Sequence, residues 1–201
     1  MSGYRAAVAG ATGVVGRAIL TVLAEREFPL RKLRLLATER SRGTAVSFRG
    51  ETLRVEVAGP GAFAGMDIVF FAVGTEASKV LVPLAREEGA VCIDKSNAFR
   101  MDPLVPLVVP EVNAGSLRGH RGIVASPNCS TIQMVVALKP LADAAGLKRV
   151  VVATYQSVSG SGRGGLVELD QQVRAIVAGG EAGVLFYTRQ IAFNLIPHID
   201  R

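Results

Sequence analysis

Apolar and polar positions change period several times along the chain, and each change marks an element. Tyr4–Ala9 is a short apolar run broken at once by glycine, which predicts a strand. Val14 to Arg26 repeats apolar residues at helical spacing, with Val15, Ile19, Val22 and Leu23 on one face, and Phe28-Pro29 stops it. Leu33–Ala37 is the next predicted strand. Val46–Phe48 and Leu53–Val57 follow as short strands separated by turn residues. Asp67–Val73 is a continuous apolar run, the pattern of a parallel strand covered on both faces. Glu76–Glu88 reads as a helix despite Pro83, and Val91–Asp94 as a further strand. Pro103, Pro106 and Pro110 punctuate a loop-rich crossing. Beyond it come a strand at Ile123–Ala125 and a helix from Ser130 to Ala145, which Pro140 is expected to kink. A β-branched strand over Lys148–Gln156, a glycine-rich turn over 157–165 and a helix from Leu166 to Val177 complete the pattern.

Alternating strands and helices predict the α/β class. The expected arrangement is a Rossmann-type parallel sheet in residues 1–126, then an incomplete α+β domain in residues 127–201. An interrupted second domain leaves apolar surface uncovered, so self-association is expected.

Composition narrows the function classes. The chain has 201 residues, of which 49% are apolar and 20% charged, with a mean hydropathy of +0.35. That is enough to bury a sizeable core and excludes general disorder. No uncharged apolar run approaches the ~18 residues of a membrane span, and the N-terminus has no secretory pattern. Two cysteines, Cys92 and Cys129, make no disulfide framework, so a reducing, cytoplasmic compartment is expected. The net charge of +6 rests mainly on arginine, since only five of the 23 basic residues are lysine. The arginines are scattered, and three Tyr, eight Phe and no Trp supply few stacking surfaces, so nucleic acid is not the expected partner. Small anions such as phosphates and carboxylates suit arginine better. No metal is expected.

Candidate chemistry sits at strand ends. Gly10-Ala11-Thr12-Gly13-Val14-Val15-Gly16 lies between the first strand and first helix, a G-x-x-G-x-x-G variant of the dinucleotide fingerprint. The helix amides there can hold a pyrophosphate. After the second predicted strand, Glu39 could bind ribose hydroxyls, whereas Arg40 and Ser41, supported by Arg42, could hold the extra phosphate of NADP; the cationic cluster favours NADP. Cys129, in Ser126-Pro127-Asn128-Cys129-Ser130-Thr131, stands where a strand turns into a helix. The helix dipole favours a thiolate there, and the amides could stabilise an oxyanion; a small buried residue is the competing reading. Cys92 lies inside an apolar strand and reads as core. Arg100 follows a strand exit, where ligands of open α/β sheets bind, and could grip a phosphate or carboxylate or form only a surface salt bridge. His120 reads as an exposed loop residue, and His198 has no neighbouring pattern of a ligand or base.

Taken together, the stretches Gly10–Gly16, Ala98–Met101, Val105–Asn113, Pro127–Met134 and Thr154–Gly160 resemble bacterial aspartate-β-semialdehyde dehydrogenases, over Val8 to Asp200. The resemblance implies NADPH-dependent reduction of L-aspartyl 4-phosphate to L-aspartate 4-semialdehyde through a cysteine thioester, in lysine, threonine and methionine biosynthesis, usually by a homodimer. It assigns Cys129 as nucleophile, Gln156 to orienting substrate, Arg100 to the phosphate and Asn128 to the same pocket. Thr12, Gly13, Val14, Val15, Arg40, Ser41, Ser159 and Gly160 match cofactor contacts. Three departures stand out. Lys95-Ser96-Asn97 replaces the usual Asn-Thr-Ser, and Ala72 replaces a common serine near the cofactor. The family's acid/base histidine belongs to a segment beyond Arg201, and His198 falls where glutamine is usual. The chain thus resembles the larger N-terminal part of such an enzyme, with little turnover expected of it alone. N-acetyl-glutamyl-phosphate reductase and a non-catalytic NADP-binding remnant are the alternatives.

Overall fold

The computed structural model describes residues 3–197; His198 lies outside the described residues. The chain divides into two compact units between Val152 and Ala153.

The first unit is built on a seven-stranded sheet of β1 (Tyr4–Ala9), β2 (Leu30–Ala37), β3 (Ala45–Phe48), β4 (Glu51–Val57), β5 (Ile68–Phe71), β6 (Val91–Asp94) and β7 (Ile123–Ala125), in the order β3-β4-β2-β1-β5-β6-β7. Parallel neighbours need crossovers. Helix α1 (Val14–Glu25) connects β1 to β2, and α2 (Thr75–Glu87) connects β5 to β6. A longer connection with the short α3 (Pro110–Asn113) leads from β6 to β7. Only β3 runs antiparallel, joined to β4 through Arg49-Gly50, both at positive φ. The order places β1 between β2 and β5, so the loop after β1 opens at the point where the winding reverses.

Beyond exposed Tyr4 and Arg5, β1 is buried on both sides, which is why Ala6–Ala9 are small and apolar. Ala7 and Ala9 pack with Val69, Phe71, Phe63 and Val82, whereas Val8 packs with Leu20, Leu23, Leu35 and Val55. β5 departs from the expected two-sided burial. Val69 and Phe71 are buried, but Ile68 and Phe70 are only half-buried, because the cluster beneath α1 thins out beyond β1. The buried stripe of α1 also differs from the expected one. It is Gly16-Leu20-Leu23, whereas Val15 and Val22 are more than two-fifths exposed. Gly16 decides the rotation: it lies so close to the Gly10 carbonyl that the helix must turn this position inward.

β7 feeds α4 (Cys129–Ala145), a single assigned helix that runs through Pro140 and starts one residue before the expected position. None of its residues is fully buried. The strand expected over Lys148–Gln156 does not form. Val151 and Tyr155 are 80% exposed, and among the described residues no strand pairs with this segment. β-propensity alone cannot hold an extended segment whose N–H and C=O groups lack a ladder partner. No helix of the described residues is long and apolar enough to cross a membrane.

The second unit has a 3-10 turn at Val158–Ser161, then α5 (Arg163–Val177), which begins three residues before the expected start, and an irregular segment. Two buried polar side chains of α5 organise that segment. The Glu168 carboxylate accepts backbone N–H bonds from Leu185, Phe186 and Tyr187. Gln172 Nε2 donates to Glu168 and to the Gly183 carbonyl, while its oxygen accepts from Ile191 and Ala192. Burial works to raise the Glu168 carboxyl, but the three amides outweigh it and hold the group below its ordinary value. A carboxyl depressed by folding stabilises the fold above its unfolded pKa, and that contribution disappears as pH falls through the folded value. Amide exchange at 185–187 is therefore expected to accelerate as pH drops below the ordinary glutamate range, after correction for intrinsic rates. Glu168→Gln should remove that pH dependence.

Candidate active site

The loop after β1 is held by its neighbours before any ligand arrives. Gly10 N and Ala11 N donate to the Leu36 carbonyl at 2.8 and 3.1 Å, and Gly13 N donates back to the Gly10 carbonyl at 2.9 Å. Gly10 has φ +85°, and a Cβ there would lie 2.3 Å from the Ala72 carbonyl oxygen. The loops after β1 and β5 therefore touch backbone to backbone. Gly13 is the N-cap of α1 and brings no side chain to satisfy the first amides, which helices leave without internal partners. Val14 and Val15, at the helix start, are exposed. A phosphate-bearing dinucleotide fits this cradle: bare amides at a helix N-terminus, no capping side chain, and backbone close enough to approach.

The end of β2 joins the same site. The hydroxyls of Thr12 and Ser41 are 3.2 Å apart, so two expected cofactor residues 29 positions apart in the chain are brought together. Arg40 is exposed beside them. The Arg42 guanidinium pairs with Glu39 at 2.9 Å in an exposed ion pair. Glu39 is thereby occupied as well.

Across the sheet, the exits of β6 and β7 assemble a second cluster. Ser126 N donates to the Asp94 carbonyl at 2.8 Å, which continues the β6–β7 pairing up to the turn. Asn128 then caps α4: its Oδ1 accepts from Ser130 N at 3.0 Å and Ser130 Oγ at 2.7 Å. The cap commits the oxygen of Asn128, so only its Nδ2 hydrogens can serve a ligand. Cys129 follows as the first residue of α4, exposed, with Sγ 3.8 Å from Asn128 Oδ1. Cys92, by contrast, is fully buried, and burial and Asp94 push its thiol up to about 12. Arg100 is no surface salt bridge. Its Nε donates to the Ser126 carbonyl at 2.9 Å and its Nη2 to the Lys95 carbonyl at 3.0 Å. Lys95 completes the cluster, with Nζ donating to Ser126 Oγ at 3.0 Å. The sequence treats Lys95 only as a departure from a family pattern. The signal that could have found it is its place immediately after β6, at the carboxyl end of a parallel strand.

Within the second unit, Gln156 is half-buried, and Ser157 Oγ accepts from Ser159 N at 3.2 Å, which starts the 3-10 turn containing Ser159 and Gly160. His120 is exposed, as expected.

Comparison with known proteins identifies the family. Residues 5–120 match a family model described as the NAD binding domain of semialdehyde dehydrogenase, and residues 138–201 match one described as its dimerisation domain. The chain belongs to the semialdehyde dehydrogenase family. It is 50% identical over 202 residues to the aspartate-semialdehyde dehydrogenase of Aquifex aeolicus, covering 98% of this chain and 59% of that protein. A solved aspartate semialdehyde dehydrogenase II from Vibrio cholerae, complexed with ASA, superposes with a TM-score of 0.96 at 46% identity, covering 100% of this chain and 60% of that one. The Candida albicans enzyme with NADP gives a TM-score of 0.61 at 26% identity, covering 73% of this chain and 48% of that one. The chain thus spans about three-fifths of the length of these curated semialdehyde dehydrogenase relatives.

Proposed function

We propose that this chain carries the dinucleotide site and the nucleophile of an aspartate-semialdehyde dehydrogenase, reducing L-aspartyl 4-phosphate to L-aspartate 4-semialdehyde with release of phosphate. The observation that carries the reading is Cys129 at the first turn of α4, with Arg100 and Lys95 tied to Ser126 three residues upstream. Cys129 Sγ attacks the acyl carbon, and the carbon–oxygen bond to phosphate breaks to leave a thioester. Bound NADPH supplies the hydride that reduces this thioester. The resulting hemithioacetal on Cys129 collapses, breaking the carbon–sulfur bond and releasing the aldehyde. Splitting the reduction through a covalent acyl-enzyme replaces one difficult displacement by two easier ones.

In this reading Gly10, Thr12, Gly13, Val14 and Val15 hold the pyrophosphate side of the cofactor, and Arg40 with Ser41 holds the 2′-phosphate that distinguishes NADP from NAD. Ser159 and Gly160 add cofactor contacts, while Arg100, Asn128 and Gln156 bind substrate. Residues 1–126 serve the dinucleotide, and residues 127–201 begin the catalytic and dimerisation part of a cytoplasmic homodimer. The relatives' names support the activity, the matching dimerisation model supports the dimer, and the NADP in the Candida structure supports the cofactor.

The test joins residues 1–201 to the remaining C-terminal part of the Aquifex relative. The fusion is expected to oxidise NADPH with aspartyl phosphate and to run in reverse with the semialdehyde, NADP and phosphate. The 201 residues alone are expected to turn over poorly, because general acid–base assistance is worth about 10²–10⁴-fold. Preference for N-acetyl-glutamyl phosphate would assign the neighbouring reductase activity instead. NADPH binding with no acyl group on Cys129 would leave only a binding module.

A further inference from the structure

Lys95 and Arg100 are two cations held side by side. Both emerge from the loop after β6, and both are fastened to one residue, Ser126: Lys95 through the side-chain oxygen and Arg100 through the carbonyl. Among the described residues neither forms an ion pair with a carboxylate. The nearest acid in sequence, Asp94, is fully buried and occupied by the hydroxyls of Ser78 and Ser96. Burial, followed by the Arg100 charge, holds the Lys95 ammonium below the ordinary lysine value, while Cys129 pulls it the other way. Two like charges without a counter-charge repel each other, and an anion placed between them relieves that repulsion. Donors remain for one: Lys95 uses one of three N–H groups and Arg100 two of five.

We propose that Lys95 is a second phosphate ligand, sharing with Arg100 the group that leaves when Cys129 is acylated. The inference rests on the dehydrogenase reading above. In that step the sulfur–carbon bond forms and the carbon–oxygen bond breaks, its electron pair going to the phosphate oxygen. The proton given up by the thiol ends on the leaving group, which departs as hydrogen phosphate. A lysine here adds a full charge and a charge-assisted hydrogen bond to the leaving dianion. A mere strut to Ser126 would need neither.

The test uses the 201-residue chain and inorganic phosphate. Cys129 is alkylated with neutral iodoacetamide at rising phosphate, and each thiol is followed by mass spectrometry. Cys92 is buried and its thiol is raised, so it does not compete. Phosphate is expected to slow modification of Cys129, with chloride at equal ionic strength ineffective. Lys95→Asn should require about tenfold more phosphate for half-protection, and Lys95→Arg should restore most of the affinity. In the active fusion, Lys95→Asn should raise KM for phosphate in the reverse direction about tenfold, whereas a strut would lower kcat and leave that KM unchanged. Unprotected wild-type Cys129, or the same half-protection in Lys95→Asn, overturns the proposal. If the fusion still reduces aspartyl phosphate in either case, the dehydrogenase reading stands and this inference alone fails.

Discussion

Cys129→Ser in the active fusion is expected to lower turnover of aspartyl phosphate by about 10³-fold or more, the scale of losing a covalent nucleophile. A hydroxyl is far less ionised and less nucleophilic than a thiol, so the acylation step loses its driving group. The fold should tolerate the change. Cys129 is exposed, its side chain fills no core position, and Asn128 rather than Cys129 caps the helix. NADPH affinity should therefore stay near wild type, because the β1–α1 cradle lies at a different strand exit. The measurement is steady-state kinetics alongside NADPH binding by calorimetry, with intact-mass detection of an acyl adduct in the parent but not in the variant. Turnover within a few-fold of the parent would remove Cys129 from the mechanism.

Gly16→Ala should cost stability outright, by about 3 kcal/mol or more, at the upper end of the usual range for forcing a methyl into packed structure. A Cβ on Gly16 would lie 2.1 Å from the Gly10 carbonyl oxygen and 2.9 Å from Ala11 Cα. Both neighbours are backbone, pinned to Leu36 by hydrogen bonds, so neither can swing aside as a side chain would. Either α1 lifts from the sheet or the cofactor loop deforms, and dinucleotide binding falls with stability in both cases. Gly13→Ala is the control. Its Cβ would meet the Gly10 oxygen at 3.3 Å, and its φ of −78° suits any residue, so its cost is about 1 kcal/mol or less. Urea unfolding of the two variants checks the contrast; equal midpoints would refute the packing argument.

The features that were legible in the chain share a local cause. Ala6–Ala9 are small and apolar because both faces of β1 are covered there, and Gly10 and Gly16 must be glycines because β5 and α1 meet the loop at backbone distance. A cysteine after Ser-Pro-Asn at a strand exit announces a helix start through the capping chemistry of Asn128 itself. The helix start and the Gly10–Gly16 approach join residues a few positions apart, so spacing expresses them, and the two-sided burial of β1 is expressed in its composition. The family model over 5–120 takes in β1 and its glycines, whereas Asn128 and Cys129 fall between the two matched segments.

Other features depend on which distant segments meet. The apolar residues of α1 are compatible with more than one buried stripe, and the contact of Gly16 with Gly10 selects Gly16-Leu20-Leu23. Val150–Val152 have the composition of a strand, but a strand exists only where another backbone completes its hydrogen bonds, and none among the described residues does so here. Lys95 and Ser126 are 31 positions apart, and nothing near either announces the other. Parallel pairing of β6 with β7 sets their exits side by side, and a charge whose energy depends on distance acquires its role only once that pairing is made.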